Sequence, residues 1–214
     1  MAASLLKAAK EGDVNFLREA ASDYNFFVQC LKERVGKEDG NIFHTAAWNG
    51  KVDFFQEAMK LLSREHQKLF LFEKDSDGWT PTKGENGHAM VKLIIDFYKS
   101  LSTDDANGVG KPWLALSKRK RTALHIALLN GKENEKCAME ILSMDVELLS
   151  TTVDEHGNSP LFLAVKGGFN QVAEKILMSC PLSSSTVSGE EGSTALHVAP
   201  NCSEIVWRRL YRQA

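Results

Sequence analysis

The sequence predicts an all-α solenoid of about six helix-turn-helix repeats with β-turn tips. The first observation is self-similarity, because three segments of the chain align directly. They are RTALHIALLNGK from Arg121, NSPLFLAVKGGF from Asn158 and STALHVAPN from Ser193. The second observation is spacing, since the equivalent residues His125, Phe162 and His197 lie 37 and 35 residues apart. A period of this length is typical of repeats that bury their apolar faces by stacking.

Less regular copies of the same unit precede these three. NIFHTAAWNGKVDFF contains His44 but lacks the threonine and is one residue short before the histidine. DSDGWTPTKGENGHAMVKLII keeps both ends of the motif and has lost part of its first helix, and SLLKAAKEGDVNFLREAA resembles a capping repeat. We therefore predict a single domain over residues 1–214, with repeats at approximately 1–36, 37–74, 75–117, 118–153, 154–188 and 189–214 and a long insertion at approximately 100–120.

Each motif contains the signals of a helix start. One hydroxyl per motif can accept a hydrogen bond from a backbone N–H of the first turn, and these residues are Thr80, Thr122, Ser159 and Thr194. Pro81 and Pro160 follow at the first helical position, where a missing N–H costs no hydrogen bond. A glycine should then end the short first helix in a left-handed conformation, at Gly50, Gly131 and Gly168.

The second helix of each repeat is predicted from apolar residues at helical spacing. These residues are Val91, Ile94 and Ile95 in the third repeat, Ala138, Ile141 and Leu142 in the fourth, and Val172, Ala173, Ile176 and Leu177 in the fifth. The third repeat should be a weak joint, because its shortened first helix contains the polar residues Lys83 and Glu85.

These motifs resemble the ankyrin repeat, whose unit is about 33 residues long with a T-P-L-H-x-A signature. The resemblance implies that His125 is structural and hydrogen-bonds backbone between adjacent repeats, and it implies the same for His44 and His197. Phe162 stands at the equivalent position without a titratable nitrogen, which agrees with this role. The longer units and insertions resemble a plant family of ankyrin proteins, the accelerated-cell-death-like proteins, which carry a membrane-spanning segment after the array.

Composition limits the classes of partner. The net charge of -2 gives no global reason to expect a nucleic acid or an anionic membrane. Four separated cysteines without a C-x-x-C pair are typical of reduced thiols in a cytosolic protein. The first residues lack a signal-peptide pattern and no segment is apolar enough to span a bilayer, so we expect a cytoplasmic monomer.

The sequence contains no recognised catalytic motif, and we predict neither enzymatic activity nor a cofactor. Glu57, Glu65 and His66 lie close together on a predicted second helix, but a solvated outer face is the simpler interpretation than a metal site. The basic run from Lys118 to Arg121 fits either a solvated turn tip or a targeting or anion-contact signal.

Large side chains at positions where the repeat predicts exposure are the candidates for partner binding. Trp48 and Leu129 are equivalent residues near the ends of first helices, on the predicted concave side, and Trp79 lies in a turn tip. The predicted binding residues are therefore Trp48, Asn49, Trp79, Arg121, Leu129, Asn130 and Asn158. The alternative for the tryptophans is coverage by the insertion, which carries Trp113.

The predicted function is a non-enzymatic scaffold that holds a protein partner on the concave face and the turn tips. Resemblance to the plant family would make it the cytoplasmic array of a protein in defence or stress signalling, reaching the membrane only through a segment absent from this chain. Two alternatives remain open: a regulatory domain that gates a channel or transporter, and a domain that binds a small ligand between the insertion and the concave face.

Overall fold

The computed structural model describes residues 1–33, 40–82, 88–101, 111–180 and 188–213. The chain divides into two compact halves, residues 1–112 and residues 113–214. Within the described residues the regular structure is helical, apart from one isolated β-bridge between Ser188 and Thr194. None of the described helices combines the length and the apolar character that a membrane span requires.

The N-terminal half contains seven α-helices within its described residues. They are α1 (Ala2–Glu11), α2 (Val14–Ala20), α3 (Tyr24–Lys32), α4 (Ile42–Trp48), α5 (Val52–Lys60), α6 (Arg64–Phe72) and α7 (His88–Leu101). Helix α1 packs against α2 and α4, α4 packs against α5, and α7 packs against α5 and α6. Fully buried aromatic rings, including Phe43, Phe55 and Phe70, form the centre of this core.

The C-terminal half repeats the same arrangement with six α-helices in its described part. They are α8 (Ala123–Leu129), α9 (Glu135–Leu142), α10 (Val146–Thr151), α11 (Pro160–Lys166), α12 (Asn170–Ser179) and α13 (Glu204–Gln213). First helices stack on first helices, α8 on α11, and second helices stack on second helices, α9 on α12 and α12 on α13. The second helices of the third, fourth and fifth repeats are α7, α9 and α12. All the apolar residues predicted for them are buried, which confirms that prediction.

The predicted helix starts are confirmed where the motif is regular. Thr122 accepts a hydrogen bond from the His125 N–H, and Ser159 accepts one from the Phe162 N–H with Pro160 at the first helical position. In the second repeat the prediction of a motif one residue short before the histidine was wrong. Asn41 lies three residues before His44, as Thr122 does before His125. Its side chain accepts hydrogen bonds from the Phe43 and His44 N–H groups, so this copy has its cap and is not short.

Two motifs do not begin an α-helix in the described residues. After Thr80, Pro81 and Thr82 form a turn, and Lys83 and Glu85 lie outside the described residues. After Thr194 the chain forms turns and a short 3-10 helix, Ala199–Asn201. The reason in the sixth repeat is Pro200, which cannot donate the backbone hydrogen bond that an α-helix needs at this position.

Three short helices were not predicted, and they account for repeats longer than the usual unit. Helices α3, α6 and α10 each follow a second helix after a brief turn. Their first turns are capped by Asp23, Ser63 and Asp145, each of which accepts a hydrogen bond from the N–H three residues later. Each such helix buries an apolar side chain, Phe27, Phe70 or Leu149, and α3 packs against α1, α6 against α7, and α10 against α9, α11 and α12.

The glycines after the first helices have positive φ, as predicted. The values are 64° at Gly50, 101° at Gly131 and 72° at Gly168. At Gly131 the ψ angle is 157°, so this residue is not in the left-handed helical region that the sequence predicted.

Candidate partner-binding surface

The hairpin tips before the first helices share one hydrogen-bonding scheme. The tips are residues 75–79 in the N-terminal half and residues 117–121, 154–158 and 189–193 in the C-terminal half. In each tip the N–H of the first residue donates to the carbonyl of the fifth, at 3.1 Å from Asp154 to Asn158. The Asp154 carboxylate also accepts hydrogen bonds from the N–H groups of His156 and Asn158. The middle residues of the three C-terminal tips are exposed, apart from the half-buried Gly157.

Two histidines join their own motif to the next repeat. The Thr122 N–H donates to His125 Nδ1 at 3.2 Å, so the Nε2–H of the same ring donates to the Asn158 carbonyl at 3.2 Å. In the N-terminal half His44 Nε2 donates to the Trp79 carbonyl at 2.9 Å in the same way. The predicted structural role is confirmed for both residues. His197 is exposed, and its Nδ1 accepts a hydrogen bond from the Thr194 N–H.

Burial keeps the His125 ring neutral. It lowers the pKa of His125 from 6.5 to about 4, and the hydrogen bond to Asn158 and the charge of Asp154 oppose this only in part. A ring that is fully buried, uncharged and bonded through both nitrogens is not available for proton transfer to a substrate at neutral pH.

The fifth residue of a tip points inward, which contradicts two predictions. Trp79 is only 5% exposed and Asn158 only 4%, so the expectation that these side chains face a partner is wrong. Their carbonyls accept the hydrogen bonds of His44 and His125, and this places both residues at an interface between repeats. Asn158 is also occupied through its side-chain oxygen, which accepts the Glu190 N–H at 2.9 Å.

Arg121 is the third predicted residue at this inward position. Its side chain is half-buried and its Nε lies 3.2 Å from the fully buried Asp154 Oδ2. Hydrogen bonds from Asn158, His156 and Arg121 lower the pKa of Asp154 although burial alone would raise it. Arg121 therefore joins the fourth repeat to the fifth, and its charge is already neutralised.

The predicted residues at the ends of first helices are accessible. Leu129 is 45% exposed and Asn130 is also exposed. In the N-terminal half the equivalent residues Trp48 and Asn49 are half-buried, and the Asn49 amide donates to the Thr45 carbonyl at 2.8 Å. The structure brings Leu129 and Asn130 together with the following Lys132, which is exposed as well.

The basic run is a turn tip, as one of its two interpretations predicted. The Lys120 N–H donates to the Ser117 carbonyl, and the side chains of Lys118, Arg119 and Lys120 are exposed. Arg119 Nε lies 3.6 Å from Glu155 Oε1 in the next tip. No observation tests the targeting interpretation, which stays a prediction.

The residues considered as possible metal ligands make structural contacts. Glu57 lies on α5 and pairs with Arg18 at 2.8 Å, whereas His66 lies on α6, where its Nδ1 contacts the Tyr24 and Ser63 hydroxyls at 3.0 Å. The described residues contain no group of three or more potential ligands that could hold a metal ion. All four cysteines are free thiols.

Sequence reasoning overlooked an exposed aromatic pair on α13. The rings of Trp207 and Tyr211 stack with centroids 5.3 Å apart, and both side chains are more than one third exposed. Ile205 is exposed on the same helix, where Arg208, Arg209 and Arg212 line a shallow cleft with it. The amphipathic pattern of this segment is visible in the sequence, but the pattern does not distinguish apolar side chains that pack against the array from those that stay exposed.

Comparison with known proteins identifies the fold. No protein-family model matches the chain. The ankyrin repeat domain of human ASB11 has a similar structure, with a TM-score of 0.57 and 16% sequence identity over 98% of this chain and 83% of that one. The predicted all-α ankyrin-repeat fold class is thereby confirmed.

A sequence relative is the human transient receptor potential cation channel subfamily A member 1. It is 27% identical over 143 residues, which cover 65% of this chain and 11% of the channel protein. The chain thus spans about a tenth of the length of that relative. Neither similarity bears on the narrower resemblance to the plant family, which stays a prediction.

Proposed function

We propose that this chain is a non-enzymatic scaffold that binds a protein partner through the end of α8 and the hairpin tips of its C-terminal half. One observation carries the proposal: Leu129, an apolar residue that is 45% exposed, ends a first helix whose histidine, His125, is buried and hydrogen-bonded to the next repeat. An apolar side chain with polar neighbours suits a binding surface, because such surfaces combine an apolar centre with a polar rim. Trp48 and Asn49 provide the corresponding positions of the N-terminal half.

The chemistry of the buried reactive groups supports a binding role over catalysis. Burial raises the pKa of the Cys137 thiol to about 12, so this side chain is not a thiolate at neutral pH. The low pKa of His125 makes this buried ring a weak base for proton transfer at neutral pH.

A matched pair of leucine variants tests the proposal. Leu129→Glu places a charge on the proposed surface, and Leu148→Glu places the same charge on α10, where Leu148 is 53% exposed. Partners captured by the wild-type chain from a cell extract are identified by mass spectrometry, and the affinity of the purified partner is then measured by calorimetry. We expect Leu129→Glu to weaken binding about tenfold or more and Leu148→Glu to leave it unchanged. Equal effects of the two variants would contradict the proposed surface.

A finer proposal concerns the setting in which the scaffold works. Repeat lengths and motif variants support the cytoplasmic array of a plant membrane protein in defence or stress signalling. The test is the location of the natural full-length product in plant cells, followed by identification of the partner that Leu129→Glu releases. A partner outside these signalling pathways would contradict this setting without affecting the scaffold function.

A second candidate function is the regulation of an ion channel, and the similarity to a human cation channel favours it. Whole-cell recording from cells that express the natural full-length product provides the test. A current that changes when residues 1–214 are deleted would favour this function, whereas the absence of current would favour the signalling scaffold.

For the small-ligand alternative, Trp113 is 2% exposed, so this ring does not line an open surface.

A further inference from the structure

Two charged residues of the C-terminal half have a backbone conformation that side chains normally avoid. Among the described residues, Lys120 and Glu191 are the two non-glycine residues with positive φ, each at 55°. Both lie in hairpin tips and both are exposed. An L-amino acid in this left-handed region crowds its β-carbon against the backbone, so each residue reduces the stability of its own turn.

The neighbouring tips show what a relaxed turn contains at the position of Lys120. The fourth residue of every other tip is glycine, with φ of 86° at Gly78, 77° at Gly157 and 73° at Gly192. Glycine adopts these angles without strain, and lysine does not. The fourth repeat therefore keeps a charged side chain where the fold itself favours glycine.

Glu191 is a comparable departure at the other end of the half. The Ser193 N–H donates to the Glu190 carbonyl at 2.9 Å, and both central residues of this turn, Glu191 and Gly192, have positive φ. Turns of this kind favour asparagine or aspartate followed by glycine, because a short side chain tolerates the left-handed region best. Glutamate has no such advantage at this site.

The exposed charges of the fourth-repeat tip and the sixth-repeat tip have opposite signs. In the fourth-repeat tip Arg121 is neutralised by Asp154 and Arg119 lies near Glu155, which leaves Lys118 and Lys120 as exposed positive charges. The sixth-repeat tip carries Glu190 and Glu191, both exposed. Glu190 lies 3.4 Å from Lys166, in a pair of which each side chain is about half exposed and therefore well hydrated.

Hydrogen bonds fix these tips as one continuous row. The Glu155 N–H donates to the Arg119 carbonyl at 3.0 Å, and the Ser159 N–H donates to the Ser188 carbonyl at 2.9 Å. The Glu190 N–H donates to Asn158 Oδ1 at 2.9 Å. The three tips at 117–121, 154–158 and 189–193, which we call the tip row, are thus positive at one end and negative at the other.

We propose that the tip row is a docking surface for an extended protein segment with acidic residues at one end and basic residues at the other. The acidic end lies against Lys118 and Lys120, and the basic end lies against Glu190 and Glu191. This inference rests on the proposed scaffold function and adds the chemistry of the partner. Opposite charges at the two ends fix the register of the segment. A uniformly anionic partner such as a nucleic acid or a lipid surface is repelled by Glu155 and by the sixth-repeat tip.

Synthetic peptides test the charge pattern directly. One fluorescent probe has its glutamates in one block and its lysines in a second block, and the other has the same composition in alternating order. We expect the block peptide to bind the wild-type chain about tenfold more tightly than the alternating peptide in low salt, and to lose this advantage as salt screens the charges. Equal affinities for the two peptides, or tighter binding of an all-glutamate peptide or of duplex DNA, would overturn the proposal.

Variants of the strained residues separate binding from stability. Lys118→Ala with Lys120→Gly should abolish the preference for the block peptide, and Glu190→Gln with Glu191→Gly should do the same. Lys120→Gly alone should raise the melting temperature by about 2–4 °C, because glycine relieves the strain of the turn. The control removes two exposed charges elsewhere in the same half, with Lys136→Ala and Arg212→Ala, and should keep the preference.

The outcomes distinguish this inference from the function on which it rests. A preference retained after Lys118→Ala and Lys120→Gly, or lost equally in the control, overturns the tip row as the docking surface. If Leu129→Glu still releases a captured protein in that case, the scaffold function stands. If neither Leu129→Glu nor the tip variants affect any captured protein, both proposals fail.

Discussion

The aromatic ring of Phe162 fills the space that a β-carbon on Gly189 would need. In the second and fourth repeats the position of Phe162 is held by histidine, and the first residue of the following tip is Asp75 or Asp154. The fifth repeat has changed both members of this pair, a larger ring on the helix and a residue without a side chain on the tip. The two substitutions are complementary in volume, so they should act as a unit.

Gly189→Ala tests this relationship. We expect a loss of about 2 kcal/mol in the free energy of unfolding, because the new methyl group overlaps a ring that is 2% exposed and closely packed. Gly189 has a φ of -154°, which any residue can adopt, so the loss is steric. Urea denaturation measures it, and Phe162→His in the same chain should recover most of it through a coupling of about 0.5–3 kcal/mol.

Gly192→Ala is the control for that experiment. No atom lies within 4 Å of a β-carbon at Gly192, but φ is 73°, so the expected loss of about 1 kcal/mol comes from the backbone. Phe162→His should not change it. Similar coupling of Phe162→His to both glycine variants would contradict the steric explanation.

His125 makes the stability of the C-terminal half depend on pH. Its pKa is about 4 when folded and about 6.5 when unfolded, so the unfolded chain binds the additional proton first as the pH falls. The stabilisation is complete above a pH of about 6.5 and is lost as the pH falls towards about 4, by up to about 3 kcal/mol. Urea denaturation at pH values across this range measures the loss.

His125→Leu isolates this contribution, because leucine has no titratable nitrogen and needs less space than the phenyl ring that the fifth repeat accommodates opposite Gly189. The variant loses two hydrogen bonds at every pH but has no imidazole to protonate. Its stability should fall less steeply than that of the wild type between pH about 6.5 and about 4. Parallel curves for the two proteins would show that His125 does not titrate in this window.

Asp154→Ala should be strongly destabilising because it leaves buried donors without an acceptor. The carboxylate accepts hydrogen bonds from the N–H groups of His156 and Asn158 and pairs with Arg121, while its own side chain is fully buried. We expect a loss of about 3–5 kcal/mol in the free energy of unfolding. The adjacent Glu155→Ala removes an exposed pair with Arg119 and should cost at most about 1 kcal/mol. Comparable losses in the two variants would contradict the assigned role of Asp154.

The regular parts of the fold were predictable because they depend on local chemistry. A cap such as Thr122 and a first-turn proline such as Pro160 act within a few residues, and a period of apolar residues determines the buried face of a helix. The bond from His125 to the next repeat followed from resemblance to a known repeat. Asn41 is an equally good cap, and it was missed because only hydroxyl residues were considered.

The candidate surface was less predictable because exposure depends on contacts distant in sequence. Trp79 and Asn158 lie inward where their tips meet the preceding repeat, and their carbonyls accept hydrogen bonds from histidines 35 and 33 residues earlier. The positive φ of Lys120 was also not predictable from its own segment, because a basic run gives no local signal of a left-handed turn. Aligning the tips residue by residue would have revealed it, since glycine occupies the same position in the others.

Trp79 should therefore contribute to stability and not to recognition. Its ring is 5% exposed, and truncation of a buried aromatic residue costs about 3–5 kcal/mol through lost burial and the cavity that remains. Trp207, which is 42% exposed, is the control, and Trp207→Ala should cost less than about 1 kcal/mol. Urea denaturation compares the two variants, and Trp79→Ala should also remove a component of fluorescence that aqueous quenchers reach poorly. A small effect of Trp79→Ala on unfolding, together with loss of partner binding, would return Trp79 to the binding surface.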